Sequence, residues 1–147
     1  MSENGVPGTG AMRGVPGIGT TRGVPDVSAD ANGHTGMAIV LSNDGQIMIR
    51  NSGGTSASAP IWAALIALAD QYAGRHLGLV NPAIYQIARG PRYHQAFHDV
   101  TEGNNTAQFP PATITGYQAA PGWDPVTGWG SPDAQVLIPL LARYAVP

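Results

Sequence analysis

At 147 residues, 43% of them hydrophobic, the chain is long enough for one core and too short for two ordinary domains. A formal net charge of −2 with scattered Lys and Arg leaves no basic stripe, which excludes nucleic acid and a polybasic membrane contact as expected partners. There is no cysteine, so disulfides and thiolate metal sites are excluded, and the longest apolar run, residues 59–69, is too short to span a bilayer.

Residues 1–21 are glycine-rich and begin a nine-residue repeat, Gly5-Val6-Pro7, Gly14-Val15-Pro16 and Gly23-Val24-Pro25. So few copies cannot build an elastic or solenoid array, and a disordered arm is expected, with the globular part over residues 22–147. No charged head followed by an apolar run opens the chain, so no export signal is read there. Asp26 and Asp30 stand four apart, but the segment follows a proline and is not helical in pattern. Loop hydrogen bonding is their expected role.

Met37-Ala38-Ile39-Val40-Leu41 and Gln46-Ile47-Met48-Ile49-Arg50, joined by Asn43-Asp44-Gly45, predict a β-hairpin. It leads into Gly53-Gly54-Thr55-Ser56-Ala57-Ser58-Ala59-Pro60, a glycine turn that opens the helix continuing through Ala69. Ser56 is the candidate nucleophile: at a helix start, unpaired N–H groups and the dipole stabilise an oxyanion forming beside it. The alternative is that Thr55 or Ser56 is an N-cap, with Pro60 tolerated in the first turn. The helix is apolar nearly all round, which predicts a place at the centre of a layered domain.

Asn81-Pro82 predicts a second helix through Ala88, with Asn81 as cap and Pro82 at the first helical position. Residues 90–131 then form a long stretch with no evident helix or strand, of the kind that a bound ion would hold in place. Its segments Phe97-His98-Asp99-Val100-Thr101-Glu102-Gly103-Asn104 and residues 119–132 are rich in oxygen ligands for a hard cation. From spacing alone, Asp99 and Asp124 are equally turn formers beside glycine and proline. His94 and His98 lack a third ligand at helical spacing, and Pro91 disfavours a helix through them, so zinc is not expected. Ser131-Pro132 is read as the cap of a last helix with Val136, Leu137, Leu140 and Leu141 on its core face.

Three of these strings carry a resemblance. Gly-Gly-Thr-Ser-x-x-x-Pro at 53–60, Phe-His-Asp-Val-Thr-x-Gly-x-Asn at 97–105 and Gly-Trp-Asp-Pro-Val-Thr-Gly-Trp-Gly-Ser-Pro at 122–132 are similar to motifs of the sedolisins, or serine-carboxyl peptidases. Arg22-Gly23-Val24-Pro25-Asp26-Val27-Ser28-Ala29-Asp30-Ala31 also resembles a non-catalytic segment of that family. The resemblance covers the C-terminal portion of the catalytic domain. It implies an α/β fold: part of a subtilisin-like doubly wound domain, with a central nucleophile helix and a C-terminal calcium-binding loop region. It further implies serine-type endopeptidase activity through Ser56 at acidic pH, a peptide or protein substrate, and secretion. One calcium ion is implied, held by the carboxylates of Asp99 and Asp124 and the carbonyls of Val100, Ala120 and Gly122.

The family activates its serine with a glutamate supported by an aspartate four residues later, and completes the oxyanion hole with another carboxyl, all upstream of the nucleophile. The sequence has two glutamates, Glu3 and Glu102, neither followed by Asp at that spacing, and Asp26, Asp30 and Asp44 match none of these roles. His34 matches no subtilisin histidine motif. A fragment is therefore expected, inactive alone, whose partner is the N-terminal half of such a domain. The alternative is a catalytically inactive calcium-binding remnant or interaction module.

Overall fold

A computed structural model describes residues 22–145, so the arm expected over residues 1–21 lies outside the described residues. The chain runs β1 (Met37–Asn43), β2 (Gln46–Ser52), α1 (Thr55–Ala73), α2 (Asn81–Ala88), α3 (Tyr93–Ala96), β3 (Phe97–His98), β4 (Ala107–Phe109), β5 (Ala112–Ile114), β6 (Ser131–Pro132) and α4 (Ala134–Tyr144). The strands form three two-stranded antiparallel sheets, β1–β2, β3–β6 and β4–β5. Among the described residues no parallel pair is formed, so the doubly wound sheet expected from the sequence is not built by them.

The hairpin forms as its turn chemistry dictates. Asp44 and Gly45 lie at φ 49° and 77°, and two central residues at positive φ match the right-handed twist of the flanking strands. Pairing then runs from Met37 opposite Ser52 to Asn43 opposite Gln46.

The core is helical. Leu137, Leu140 and Leu141 of α4, spaced i, i+3, i+4, are buried among Leu65 and Ala69 of α1, Ala83, Ile84, Ile87 and Ala88 of α2, and Ala96 of α3. The helix in the middle is α4, against which α1, α2 and α3 all pack. The expected central place of α1 is corrected: only Leu65 and Ala69 of its 19 residues are buried, while Leu68 and Tyr72 are 53% and 64% exposed. Its apolar circumference meets α4 on one side and no covering sheet on the other.

Capping departs from the sequence reading at α2 and α4, and at α1 it goes against the alternative reading of a hydroxyl cap. Gly54, at φ 114°, is the N-cap of α1, so neither Thr55 nor Ser56 caps it. Pro60 lies at the sixth position, inside the helix, and without an N–H it leaves the Ser56 carbonyl lacking its usual i+4 donor. In α2 the cap is Val80, and Asn81 instead donates its side-chain amide to Asp26 Oδ2 at 2.9 Å. Asp133 caps α4 by accepting from Val136 N–H at 3.2 Å, while Ser131–Pro132 pairs with Phe97–His98 as β6 against β3.

The stretch over residues 90–131 is more regular than the sequence suggests. Beyond α3 and β3, an antiparallel arm climbs from the Ala119 N–H bonded to the Gly103 carbonyl (2.9 Å), through Asn105 N–H to the Tyr117 carbonyl (3.2 Å), to β4–β5. Backbone pairing holds this arm, and the premise that only an ion would order the whole stretch is corrected to the loops at its base.

Candidate active site

The nucleophile candidate stands at the junction of β2 and α1. Gly53 lets the chain pass the turn at residues 32–33, since a Cβ there would meet the Asn32 backbone at 2.6 Å; Gly54 supplies the positive φ that swings the chain into the helix. Ser56, the second residue of the 19-residue helix, is exposed. No side-chain hydrogen bond engages its hydroxyl among the described residues. The neighbouring Ser58 hydroxyl is spent differently, donating to the Asp30 carbonyl at 3.2 Å. A free hydroxyl over a helix N-terminus has the electrostatic setting for oxyanion stabilisation, and among the described residues no side chain hydrogen-bonds it as a base would.

The 25–30 segment ties this junction to the rest of the molecule. Trp62 Nε1 donates to the Ser28 carbonyl (2.9 Å) and Trp123 Nε1 to the Pro25 carbonyl (3.1 Å), so one segment spans the nucleophile helix and the C-terminal loops. Asp26 is its hub. The carboxylate accepts from Tyr85 Oη at 2.7 Å, from Asn81, and from Arg22, while its carbonyl accepts from Trp129 N–H at 2.9 Å. Burial, then the bond to Asp26, pushes the Tyr85 hydroxyl up to about 12, and the same carboxylate raises Arg22 through a hydrogen bond and charge. Asp30 accepts from Asn32 N–H at 3.1 Å. Both aspartates thus serve loop structure. The hub role of Asp26 was not legible in the sequence, because Asn81 and Tyr85, two of its partners, lie 55 and 59 residues away.

The pairing of β3 with β6 brings the two candidate calcium loops side by side, one leaving β3 at Asp99 and the other entering β6 at Ser131. Gly122 N–H donates to Asp99 Oδ2 at 2.8 Å, across the two loops, and Ala120 N–H to Asp124 Oδ2 at 3.1 Å, within one loop, so four of the five predicted ligand residues are linked in two pairs. Val100 follows Asp99 in the chain and is half-buried. Asp124, 2% exposed, also accepts from Val126 and Thr127 N–H at 2.8 Å each and from the Thr127 hydroxyl, which makes it a turn former in its own right.

Asp99 differs. Its Oδ1 is buried and has no hydrogen-bond partner, an expensive state for a carboxylate oxygen that a bound cation or water would relieve. Tyr93, which donates to the Trp129 carbonyl at 3.2 Å, is held above its usual value by burial and then by the nearby Asp99 and Asp124 carboxylates. The donor set, two carboxylates with carbonyls and no imidazole, fits a hard oxygen-seeking cation. Ala120 is not at positive φ, so alanine is accommodated there without strain, while Gly122 lies at φ 82°. No group of three or more His, Asp or Glu side chains able to hold a metal occurs among the described residues, so backbone carbonyls have to contribute to any such site.

Known proteins resemble this chain over most of its length. Kumamolisin of Bacillus sp. (strain MN-32) is 46% identical over 106 residues, which cover 72% of this chain and 17% of kumamolisin. Pseudomonas sedolisin, a serine-carboxyl proteinase solved with two molecules of pseudo-iodotyrostatin, superposes with a TM-score of 0.70 at 32% identity, covering 89% of this chain and 33% of that one. Over the matched part the chain belongs to the sedolisin family. Human tripeptidyl-peptidase 1 is 34% identical over 123 residues, 76% of this chain and 21% of the relative. No family model matches the chain. It is thus a sedolisin-type sequence of a peptidase family, with mixed helix and strand, that spans less than a quarter of the length of these curated relatives.

Proposed function

We propose that this chain carries the nucleophile of a serine-type endopeptidase of the serine-carboxyl class, with Ser56 as that nucleophile. The observation that carries the reading is an exposed, unengaged Ser56 hydroxyl on the first turn of α1, behind a glycine N-cap. In the proposed step Ser56 Oγ bonds to the scissile carbonyl carbon, the carbonyl electron pair moves onto oxygen beside the helix N-terminus, and the hydroxyl proton passes to a carboxylate. Collapse breaks the C–N bond, the amine leaves with a proton, and water then cleaves the acyl ester.

The carboxylates are proposed to come from outside the described residues, since none of those residues hydrogen-bonds the Ser56 hydroxyl. An acidic optimum follows, because carboxyl groups sharing protons with a serine work only while at least one stays protonated. Negligible turnover is proposed for the chain alone, and an extracellular setting by likeness to its family.

One calcium ion is proposed at Asp99, Asp124 and the carbonyls of Val100, Ala120 and Gly122; it would supply positive charge to the orphaned Asp99 oxygen and cross-link the loops. That no described residue engages the Ser56 hydroxyl as a base favours a second reading, a catalytically inactive calcium-binding module. The deciding experiment is capture at acidic pH with a peptide aldehyde, with and without a polypeptide bearing the Glu-x-x-x-Asp helix of a sedolisin. An adduct on Ser56 only in the mixture supports the peptidase; none in either supports the inactive module.

A further inference from the structure

The turn of α1 that carries Ser56 is weakly held by its own helix. Pro60 deprives the Ser56 carbonyl of its i+4 donor, and the first buried residue of the helix is Leu65, so neither backbone bonding nor apolar burial fully fixes residues 55–60. What holds the turn comes from outside it. Ser58, Trp62, Leu65 and Ala69 recur at i, i+4, i+7 and i+11 and so form one stripe of the helix. Its last two members are buried apolar packing, whereas its first two are donors: Ser58 Oγ to the Asp30 carbonyl at 3.2 Å and Trp62 Nε1 to the Ser28 carbonyl at 2.9 Å.

The same segment holds the strand that enters the glycine turn. Asn51 Nδ2 donates to the His34 carbonyl at 2.9 Å, and the Gly53 backbone lies so close to Asn32 that a side chain would not fit between them. The segment is itself braced: the Asp30 and Asn32 side chains accept from Asn32 and His34 N–H, and Ser28 N–H donates to the Gly130 carbonyl at 3.0 Å. Chain entering the turn and chain leaving it are thus tied to one partner. Ser58 follows Ser56 by two residues, about 200° round the helix, so its bond faces the braced segment while Ser56 faces outward. We propose that Ser58 is a positioning residue: its hydroxyl, bonded to the Asp30 carbonyl, fixes the first turn of α1 and with it the direction of the Ser56 side chain and of the N–H groups beside it. That this pose serves a nucleophile rests on the peptidase reading above; that Ser58 sets it does not.

The chain has no cysteine, so Ser56→Cys gives the full chain a single thiol whose ionisation reports the helix start. A thiol at a helix N-terminus ionises below its ordinary value of about 8.5, and only the thiolate is alkylated. The measurement is the iodoacetamide rate at about pH 6.5 divided by its alkaline plateau, which gives the thiolate fraction. Adding Ser58→Ala should lower this ratio at least about fivefold, a rise of about 0.7 in the thiol pKa, while Ser58→Thr should keep it within about twofold. Ser58→Val, which has the shape of threonine without the hydroxyl, should behave as alanine does, and it decides the outcome if circular dichroism shows that the alanine variant has unfolded. Thr113→Val, which removes a hydroxyl bonded to Gln108 on the β4–β5 arm, should leave the ratio unchanged. A Ser58 that served stability alone would lower the melting temperature and leave the ratio of the folded protein unmoved. That result, or a thiol that already ionises as an unperturbed one with Ser58 in place, overturns the proposal. A lowered ratio with no aldehyde adduct on Ser56 in the capture experiment above leaves the positioning role standing and sinks the peptidase reading; an unmoved ratio with an adduct does the reverse.

Discussion

Replacing Asp99 with Asn separates the cation reading from an ordinary hydrogen-bonding role. In the structure Asp99 Oδ2 accepts from Gly122 N–H at 2.8 Å while Oδ1 is buried without a partner. Asparagine keeps the acceptor and removes the uncompensated charge, whose burial costs about 1–3 kcal/mol or more. In chelator the variant should therefore match the parent or exceed it by about 1 kcal/mol. In calcium at about a hundred times Kd, the parent gains about 2.7 kcal/mol by mass action and the variant little of it. The rank order of the two proteins reverses between chelator and calcium, which urea titrations in each buffer resolve. A variant that loses equal stability in both buffers, or gains as much from calcium as the parent, refutes the reasoning.

Asp124→Ala should behave differently, because its carboxylate already serves Val126, Thr127 and Ala120 N–H groups: a loss of about 3 kcal/mol is expected even in chelator, and a larger one in calcium, where a proposed ligand is lost as well, read by the same titrations. Gly130→Ala should cost at least about 3 kcal/mol and weaken the β3–β6 pairing, since Gly130 lies at φ 90° and a Cβ there would collide with the His98 carbonyl; a thermal melt checks it. Tyr85, raised from 10.0 to about 12, stays protonated in the fold while it ionises in the unfolded chain, so its contribution is complete below pH 10.0 and is lost as pH rises to about 12. Stability measured across that window should fall less steeply in Tyr85→Phe than in the parent.

Local features were legible wherever the residues themselves decide the geometry. Asn43-Asp44-Gly45 specified the hairpin turn, Leu137, Leu140 and Leu141 gave the buried stripe of α4, and the glycine pair before Ser56 gave the helix entry. Caps were misread because several polar residues compete for one position, and the winner depends on distant partners: Asn81 turns to Asp26 instead of capping α2, and Asp133 caps α4 after Ser131–Pro132 is taken by β3. The β4–β5 arm was missed because three-residue strands are too short to register a period of two.

The misplacement of α1 has a different origin. An apolar pattern records every surface that is covered when the sequence is at work, whereas the described residues cover only what they reach themselves. On α1 that is the side packed on α4, leaving Leu68 and Tyr72 bare, and on β1–β2 it is part of one face. The two elements with this mismatch, β2 and α1, adjoin through the short turn before Ser56, whose hydroxyl no described side chain engages.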